Sequence, residues 1–356
     1  MISNNPMKNK NRFAKILILN VLAIFMITAS TAYIVQTSPK EVVVAFYNIE
    51  NLFDTEDDPN INDEEFLPES KSKWTKERYN VKLERMSEVI AQLGTADAPD
   101  ILGLCEVENK KVIEDLIATP KLAPKKYGIV HYDSPDERGI DVALIYKKDV
   151  FTVFDSKAIK TIFPNNPKDR TRDILMVSGV LGGRDTLHVF VAHFPSRRGG
   201  QDVSESSRIF VAEQIRAEVD MLQKKSPKAN VLIMGDMNDE PNNKSMFNSL
   251  KAKKDTKYMK NGELFNAMGV LKEQGKGSYK HDGKWNMLDQ IIISKPMTEK
   301  KSKLSYVKNS AQVFMPEFLC EKEGKYKGNP FRTYAGTKYL GGYSDHFSVF
   351  VKLKIK

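Results

Sequence analysis

Val231-Leu-Ile-Met-Gly-Asp-Met-Asn-Asp-Glu240 sets the frame for reading this chain. Its four leading apolar residues, Val231 to Met234, are too few for a helix and read as a buried strand. Gly235 ends the run, and Asp236 and Asn238 follow at i and i+2. In extended backbone these two side chains point to one face of the sheet edge. A carboxylate and an amide side by side can hold a water, a hard metal ion or a phosphoryl group. A strand that merely ends in a turn has the same appearance, so the other strands decide between the two.

Those strands repeat the pattern. Glu41 to Tyr47 is a β-rich run that leads into Asn48-Ile-Glu50, a second polar pair at i and i+2. Ile101 to Cys105 ends at Glu106. Gly139 to Tyr146 carries Asp141 near its start. Asp173–Leu181 and Thr186–Ala192 read as a hairpin across Gly182-Gly183, and its second strand runs into His193. Leu288 to Ser294 carries Asp289, and Asp345-His346 precedes the last strand. Acids at strand ends are often turn residues, and a lone histidine is usually structural. Here an acid, amide or histidine marks each of these strands, and two of the chain's five histidines, His193 and His346, are among them. Strand ends on one side of a sheet converge in space, which favours a common site.

Two helices complete the outline. Tyr79, Leu83, Met86, Ile90 and Leu93 form an apolar stripe over Thr75–Leu93, closed by Gly94. Ser204–Leu222 presents Phe210, Ile215, Val219 and Leu222 on roughly one face. Residues 242–288 and 295–339 are polar or basic and irregular, and read as loops. The acidic stretch Asp54–Glu69 reads as a solvated loop. Alternating strands and helices without a break describe one α/β domain over residues 41–356.

The formal charge is +9 over 356 residues. Lys8, Lys10, Arg12 and Lys15 carry four of those charges, so +5 remains on the rest of the chain. That balance permits a polyanionic partner without requiring one. The same four residues precede the apolar run Ile16–Ile27 and the small residues Ser30-Thr-Ala32, which together read as a signal peptide over residues 1–32. The alternative is an uncleaved anchor reaching Val35. Either places the domain outside the cytoplasm, secreted or periplasmic if the leader is cut. Cys105 and Cys320 either pair in that oxidising compartment or remain free thiols.

Asn48-Ile-Glu50, Leu104-Cys-Glu106, Val191-Ala-His193, Gly235-Asp-Met-Asn238, the strand with Asp289, and Ser344-Asp-His346 occur in an order and spacing that resembles the endonuclease/exonuclease/phosphatase superfamily. Phe46 to Asp54 looks like its secreted bacterial members. The resemblance covers about Val42 to Lys352. It implies a four-layer sandwich, two packed mixed β-sheets flanked by helices, with the site at one edge. It implies hydrolysis of phosphodiester bonds assisted by Mg²⁺ or Mn²⁺, since the donors are oxygen-rich and lack clustered Cys or His. By the resemblance Glu106 is the main metal ligand, Asn48 and Asp345 lie nearby, and Glu50 serves a second metal position. Asp236 orients or deprotonates the attacking water, Asn238 binds the phosphate, and His346 is held by Asp289 as base or phosphate ligand. His193 stands on the leaving-group side, with Asp141 to orient it.

His193 sides with the deoxyribonuclease branch, where exonuclease III-like enzymes commonly have Tyr or Asn. Asn286-Met-Leu-Asp-Gln290 lacks the Asp-Arg of the inositol phosphatases. A nuclease acting on DNA or RNA is therefore expected. A phosphatase or phospholipid phosphodiesterase acting on a lipid or phosphorylated small molecule is the alternative, and a silent binding protein of the same fold ranks below both. Arg172, Arg197 and Arg198, with nearby Arg170, are placed to grip phosphates, or else form an exposed basic loop. Tyr279, Trp285, Phe331 and Tyr334 are candidates to stack on bases, against ordinary local packing. No obligate protein partner is indicated, and a monomer is expected.

Overall fold

The computed structural model describes residues 41–356, so the leader read over residues 1–32 lies outside them. In chain order the first strands are β1 (Glu41–Leu52), β2 (Ile101–Val107), β3 (Tyr127–His131), β4 (Asp141–Lys147), β5 (Phe151–Ile159), β6 (Ile174–Leu181), β7 (Asp185–His193) and β8 (Asn230–Asp236). Shorter ones follow: β9 (Ala252–Lys253), β10 (Leu264–Asn266), β11 (Tyr279–His281), β12 (Lys284–Asn286), β13 (Asp289–Ser294), β14 (Leu304–Tyr306), β15 (Gln312–Phe314), β16 (Tyr334–Ala335) and β17 (Lys338–Tyr339). β18 (Ser348–Ile355) is last. The helices are α1 (Lys76–Ile90), α2 (Lys110–Ile117), α3 (Gln201–Lys225) and the short α4 (Gly269–Glu273).

Most strands form two seven-stranded sheets, and β11–β12 and β16–β17 form separate two-stranded ones. The first runs β14-β18-β1-β2-β4-β3, with β15 also paired to β18, and the second runs β5-β6-β7-β8-β13-β10-β9. β1–β2 and β7–β8 are parallel, while β1–β18 and β8–β13 are antiparallel, so both sheets are mixed.

The period-2 alternation of the strands explains the layering. Val42, Val44 and Phe46 face the core between the sheets, while Val43, Ala45 and Tyr47 face outward under α1 and α2. Leu232 and Met234 point to the inter-sheet core, and Val231 and Ile233 lie under α3. A strand covered on both faces must be apolar at every position, which is why Val231–Met234 reads as an unbroken run. Burying each such side chain contributes about 1.5–3 kcal/mol. The result is the expected four-layer sandwich.

Several boundaries differ from the sequence reading. β1 and β8 continue into their motif residues, to Leu52 and Asp236. The β6–β7 turn spans three residues, since Leu181 pairs with Asp185. β3 and β5 were not read as strands; β5 has Phe154 exposed and a bulge between Val153 and Asp155, which breaks its alternation. The stretches read as loops, 242–288 and 295–339, hold the short strands β9–β12 and β14–β17. Cys105 is buried and both cysteines are free. Among the described residues no helix is long and apolar enough to cross a membrane.

Candidate active site

Strand register assembles the first half of the site. His193 lies beside Asp236 in β7–β8, and Asp236 beside Asp289 in β8–β13. Gly235 permits this approach, because a Cβ there would sit 2.1 Å from the Ala192 carbonyl oxygen. His346 arrives from the first sheet, just ahead of β18. Its Nδ1 is 2.7 Å from Asp289 Oδ2, and its Nε2 is 3.8 Å from Asp236 Oδ2. His193 Nε2 is 3.6 Å from the same Asp236 oxygen. All four side chains are buried.

Their environments drive the two imidazoles apart. For His346, burial favours the neutral ring, but the carboxylates of Asp289 and Asp236 outweigh it and hold the pKa well above the ordinary value. For His193, burial and then the cations of Arg172, Arg138 and His346 push the pKa well below it. Asp236 is pushed up to about 6, mainly by burial, with His346 opposing and Asp289 adding to the rise. The two rings are thus biased in opposite directions, His346 toward the imidazolium and His193 toward the neutral form, with the Asp236 carboxylate between them.

The polar pairs at i and i+2 are not held by extended backbone. Asp236 Oδ1 accepts the Asn238 N–H at 3.0 Å, Asn48 Oδ1 accepts the Glu50 N–H at 3.0 Å, and Ser344 Oγ accepts the His346 N–H at 3.0 Å. In the first two turns the second residue takes a left-handed backbone, with φ 46° at Asn238 and 52° at Glu50. Asn51 and Glu106 do the same at φ 56° and 61°, where bulges interrupt the β1–β2 and β2–β4 ladders. Bulges re-aim side chains, and non-glycine residues in this region store strain that the surrounding packing must hold.

The first sheet supplies the second half. Glu106 Oε2 accepts the Asn51 N–H at 3.1 Å. Asn48 turns its amide nitrogen, not its oxygen, toward Glu106 Oε1 at 3.4 Å and Asp236 Oδ2 at 3.1 Å, so it bridges the two halves rather than facing the pocket as a metal ligand. Glu50 is occupied on both oxygens: Thr333 N–H donates to Oε2 at 2.7 Å, and Arg332 Nε stands 3.5 Å from Oε1. Arg332 also donates to Asp345 Oδ2 at 2.5 Å. Burial and then Asp345 raise Glu50 to about 7.

Two expectations are corrected. Asp141 does not orient His193. Its carboxylate is taken by His131 Nε2 at 3.0 Å and by the backbone and hydroxyl of Ser134, while His193 Nδ1 has no partner among the described residues. Asp141 instead serves its own sheet, where His131 on the adjacent strand β3 takes its carboxylate. Arg172 does not reach for phosphate either. It is buried, pairs with Asp136 at 3.0 Å, and donates to the Phe194 carbonyl at 2.7 Å. Arg198 is exposed on its loop. Arg197 does line the pocket, with Nε donating to the Asn238 carbonyl at 2.7 Å.

A cavity of about 340 Å³ joins the halves, lined by Glu106, His193, Asp236, Asn238, Asp345 and His346. Arg138, which no motif signals, reaches in from the loop between β3 and β4; it donates to Asn51 Oδ1 at 2.6 Å and lies 3.8 Å from Glu106 Oε2. Tyr279 stacks on His346 with ring centroids 4.7 Å apart. The other aromatic candidates pack locally: Trp285 on Phe347, Phe331 on Tyr343, and Tyr334 on Tyr339.

The residues fit a hard divalent cation. Glu106, Glu50 and Asp345 offer carboxylate oxygens, and the charge of Asp345 adds to the burial that raises Glu50. Asp236, Asp289 and His346 also cluster closely enough to hold an ion, but His346 is already bound to Asp289.

The profile of the Endonuclease/Exonuclease/phosphatase family matches residues 43–355. Solved structures agree at the level of fold. A family protein from Bacteroides thetaiotaomicron is 15% identical, with TM-score 0.56 over 90% of this chain and 99% of its own. The human Nocturnin catalytic domain with bound sulfate is 20% identical, with TM-score 0.53 over 89% and 95%. D. rerio TDP2 complexed with single strand DNA product is 13% identical, with TM-score 0.53 over 89% and 100%. No curated protein matches the chain. Members of the family are hydrolases of phosphoester bonds and typically depend on divalent metals. With the profile spanning nearly every described residue, the chain belongs to the endonuclease/exonuclease/phosphatase family.

Proposed function

We propose that this chain is a divalent-metal-dependent phosphodiesterase that cleaves nucleic acid. The observation that carries the reading is a single pocket with a cationic imidazole, a neutral imidazole and a carboxylate between them on one wall, and the carboxylates of Glu106 and Asp345 on the other. Glu106 would hold the metal, with Asp345 beside it. A bound Mg²⁺ or Mn²⁺ supplies charge neutralisation at the phosphate.

The protein's own groups perform the remainder. Asp236 receives an N–H from Asn238 on one oxygen and faces both imidazoles with the other, so it is fixed to align and deprotonate a water. His346, charged by Asp289, binds a phosphate oxygen. His193, neutral and buried, stands on the leaving-group side. Arg138 and Arg197 add guanidinium donors for the phosphate. Nucleic acid is favoured as substrate by those guanidinium groups beside an aromatic ring, Tyr279, and by the bound DNA product in the TDP2 relative. The signal peptide read over residues 1–32 belongs to the same proposal, and the N-terminal mass of the exported protein tests it.

The purified chain is offered supercoiled plasmid, RNA, sphingomyelin and inositol phosphates, each with Mg²⁺, with Mn²⁺ and with chelator. Nicking or RNA cleavage that chelator abolishes is the expected result. Hydrolysis of lipid or inositol phosphate alone would move the substrate to the alternative class, and metal-independent cleavage would sink the mechanism.

A further inference from the structure

Lys82 belongs to none of the motifs, yet it is among the largest fully buried side chains. A buried ammonium is tolerated only when other groups compensate it. Lys82 Nζ donates to Thr333 Oγ1 at 2.7 Å and to the Tyr343 carbonyl at 2.6 Å. Thr333 in turn gives its backbone N–H to Glu50 Oε2 at 2.7 Å, so one residue links the lysine to the carboxylate. Tyr343 immediately precedes Ser344-Asp345-His346, so the same ammonium holds the root of that motif. Its charge acts on Glu50, Asp345 and Glu106, in that order of strength.

Lys82 is one step of a basic stripe on α1. Arg78 reaches the Tyr334 hydroxyl and lies over the Tyr339 ring, Lys82 reaches Thr333 and Tyr343, and Arg85 reaches the Tyr343 hydroxyl. The spacing of Arg78, Lys82 and Arg85 puts all three on one helix face. Arg332 and Arg138 also stand at the carboxylates, but their side chains are 41% and 51% exposed and can move away. Lys82 cannot.

Three carboxylates, Glu50, Glu106 and Asp345, thus meet three protein cations, Lys82, Arg332 and Arg138, of which only Lys82 is fixed by burial. A second ion would have to displace Thr333 and Arg332 from Glu50. We infer that Lys82 is a built-in cation occupying the electrostatic place of a second metal ion, so that the pocket takes one divalent ion, at Glu106. The inference rests on the metal-dependent reading above.

Counting bound Mn²⁺ by electron paramagnetic resonance tests it without reference to activity. The full chain is expected to bind one Mn²⁺, Lys82→Arg one, and Lys82→Met two. Two Mn²⁺ on the unaltered chain would overturn the inference and keep the metal site. No bound Mn²⁺ would overturn the metal-dependent reading itself. One Mn²⁺ on a folded Lys82→Met with unchanged affinity would show that Lys82 does not set the count. If Lys82→Met does not fold, Glu50→Gln decides. Mn²⁺ affinity should change by less than about threefold, and a loss of about tenfold or more, the scale on which metal sites respond to losing a partner, would overturn the inference.

Discussion

The edge of the second sheet brings His193, Asp236 and Asp289 to the pocket by register alone, and His346 joins them through a 2.7 Å contact with Asp289. The edge of the first sheet brings carboxylates, aimed by bulges and left-handed residues and restrained by Thr333 and Arg332. The second-sheet half alternates acid and base and is internally paired. The first-sheet half is crowded with like charge. A set of groups that moves protons can be completed by hydrogen bonds within the protein, whereas a set that meets a phosphate must stay short of positive charge until ligands arrive.

The sharpest way to break this contrast is Asp289→Asn. It preserves shape but removes the charge that holds His346 cationic, and loss of a carboxylate behind an imidazole costs about 10³- to 10⁴-fold in kcat. Plasmid-nicking rates measure it; a loss under about tenfold would show that the His346–Asp289 pair is structural. On the other half, Arg138→Ala removes a donor beside Glu106 and should lower kcat/KM by about 10²-fold, the scale of losing one charge-stabilising donor. Steady-state kinetics on a short oligonucleotide would reveal it.

The pH profile probes the boundary between the halves. In the proposed mechanism Asp236 must be ionised to align water, and burial raises it to about 6. Activity should therefore fall as pH drops below about 6, approaching tenfold per unit, and level off above. A flat profile down to pH 4.5 would remove Asp236 from that role. The smallest catalytic effect should come from Asp141→Asn, which touches neither half. It loosens His131 and Ser134 and should lower unfolding stability by about 1–3 kcal/mol, with kcat nearly unchanged. A large fall in kcat in a folded Asp141→Asn would restore its link to His193.

What the sequence revealed follows the same division. Register-built positions were legible, because a strand that ends in an acid or histidine announces itself through an abrupt change in polarity. Val231–Met234, Ile101–Cys105 and the strand before His193 all did so. Positions set by tertiary contacts were not. Arg138 lies in an aperiodic loop. Lys82 sits among the apolar residues of α1, where the stripe from Tyr79 to Leu93 masked a second, basic stripe on the same helix. Asp141 was given to His193 through the family resemblance, and its partner His131 was missed because β3 did not read as a strand. Asn238 was read as extended because a left-handed asparagine leaves no trace in composition.

Ser344 gives its hydroxyl to the Asn48 carbonyl at 2.7 Å, joining residues 296 positions apart. That link has a consequence for biosynthesis. Asn48, Glu106, His193 and Asp236 all leave the ribosome well before Asp345 and His346, and β1 waits for β18 as its antiparallel partner. Contacts so distant in sequence form late. A nascent chain therefore carries an unfinished pocket until β18 has been made and has paired with β1.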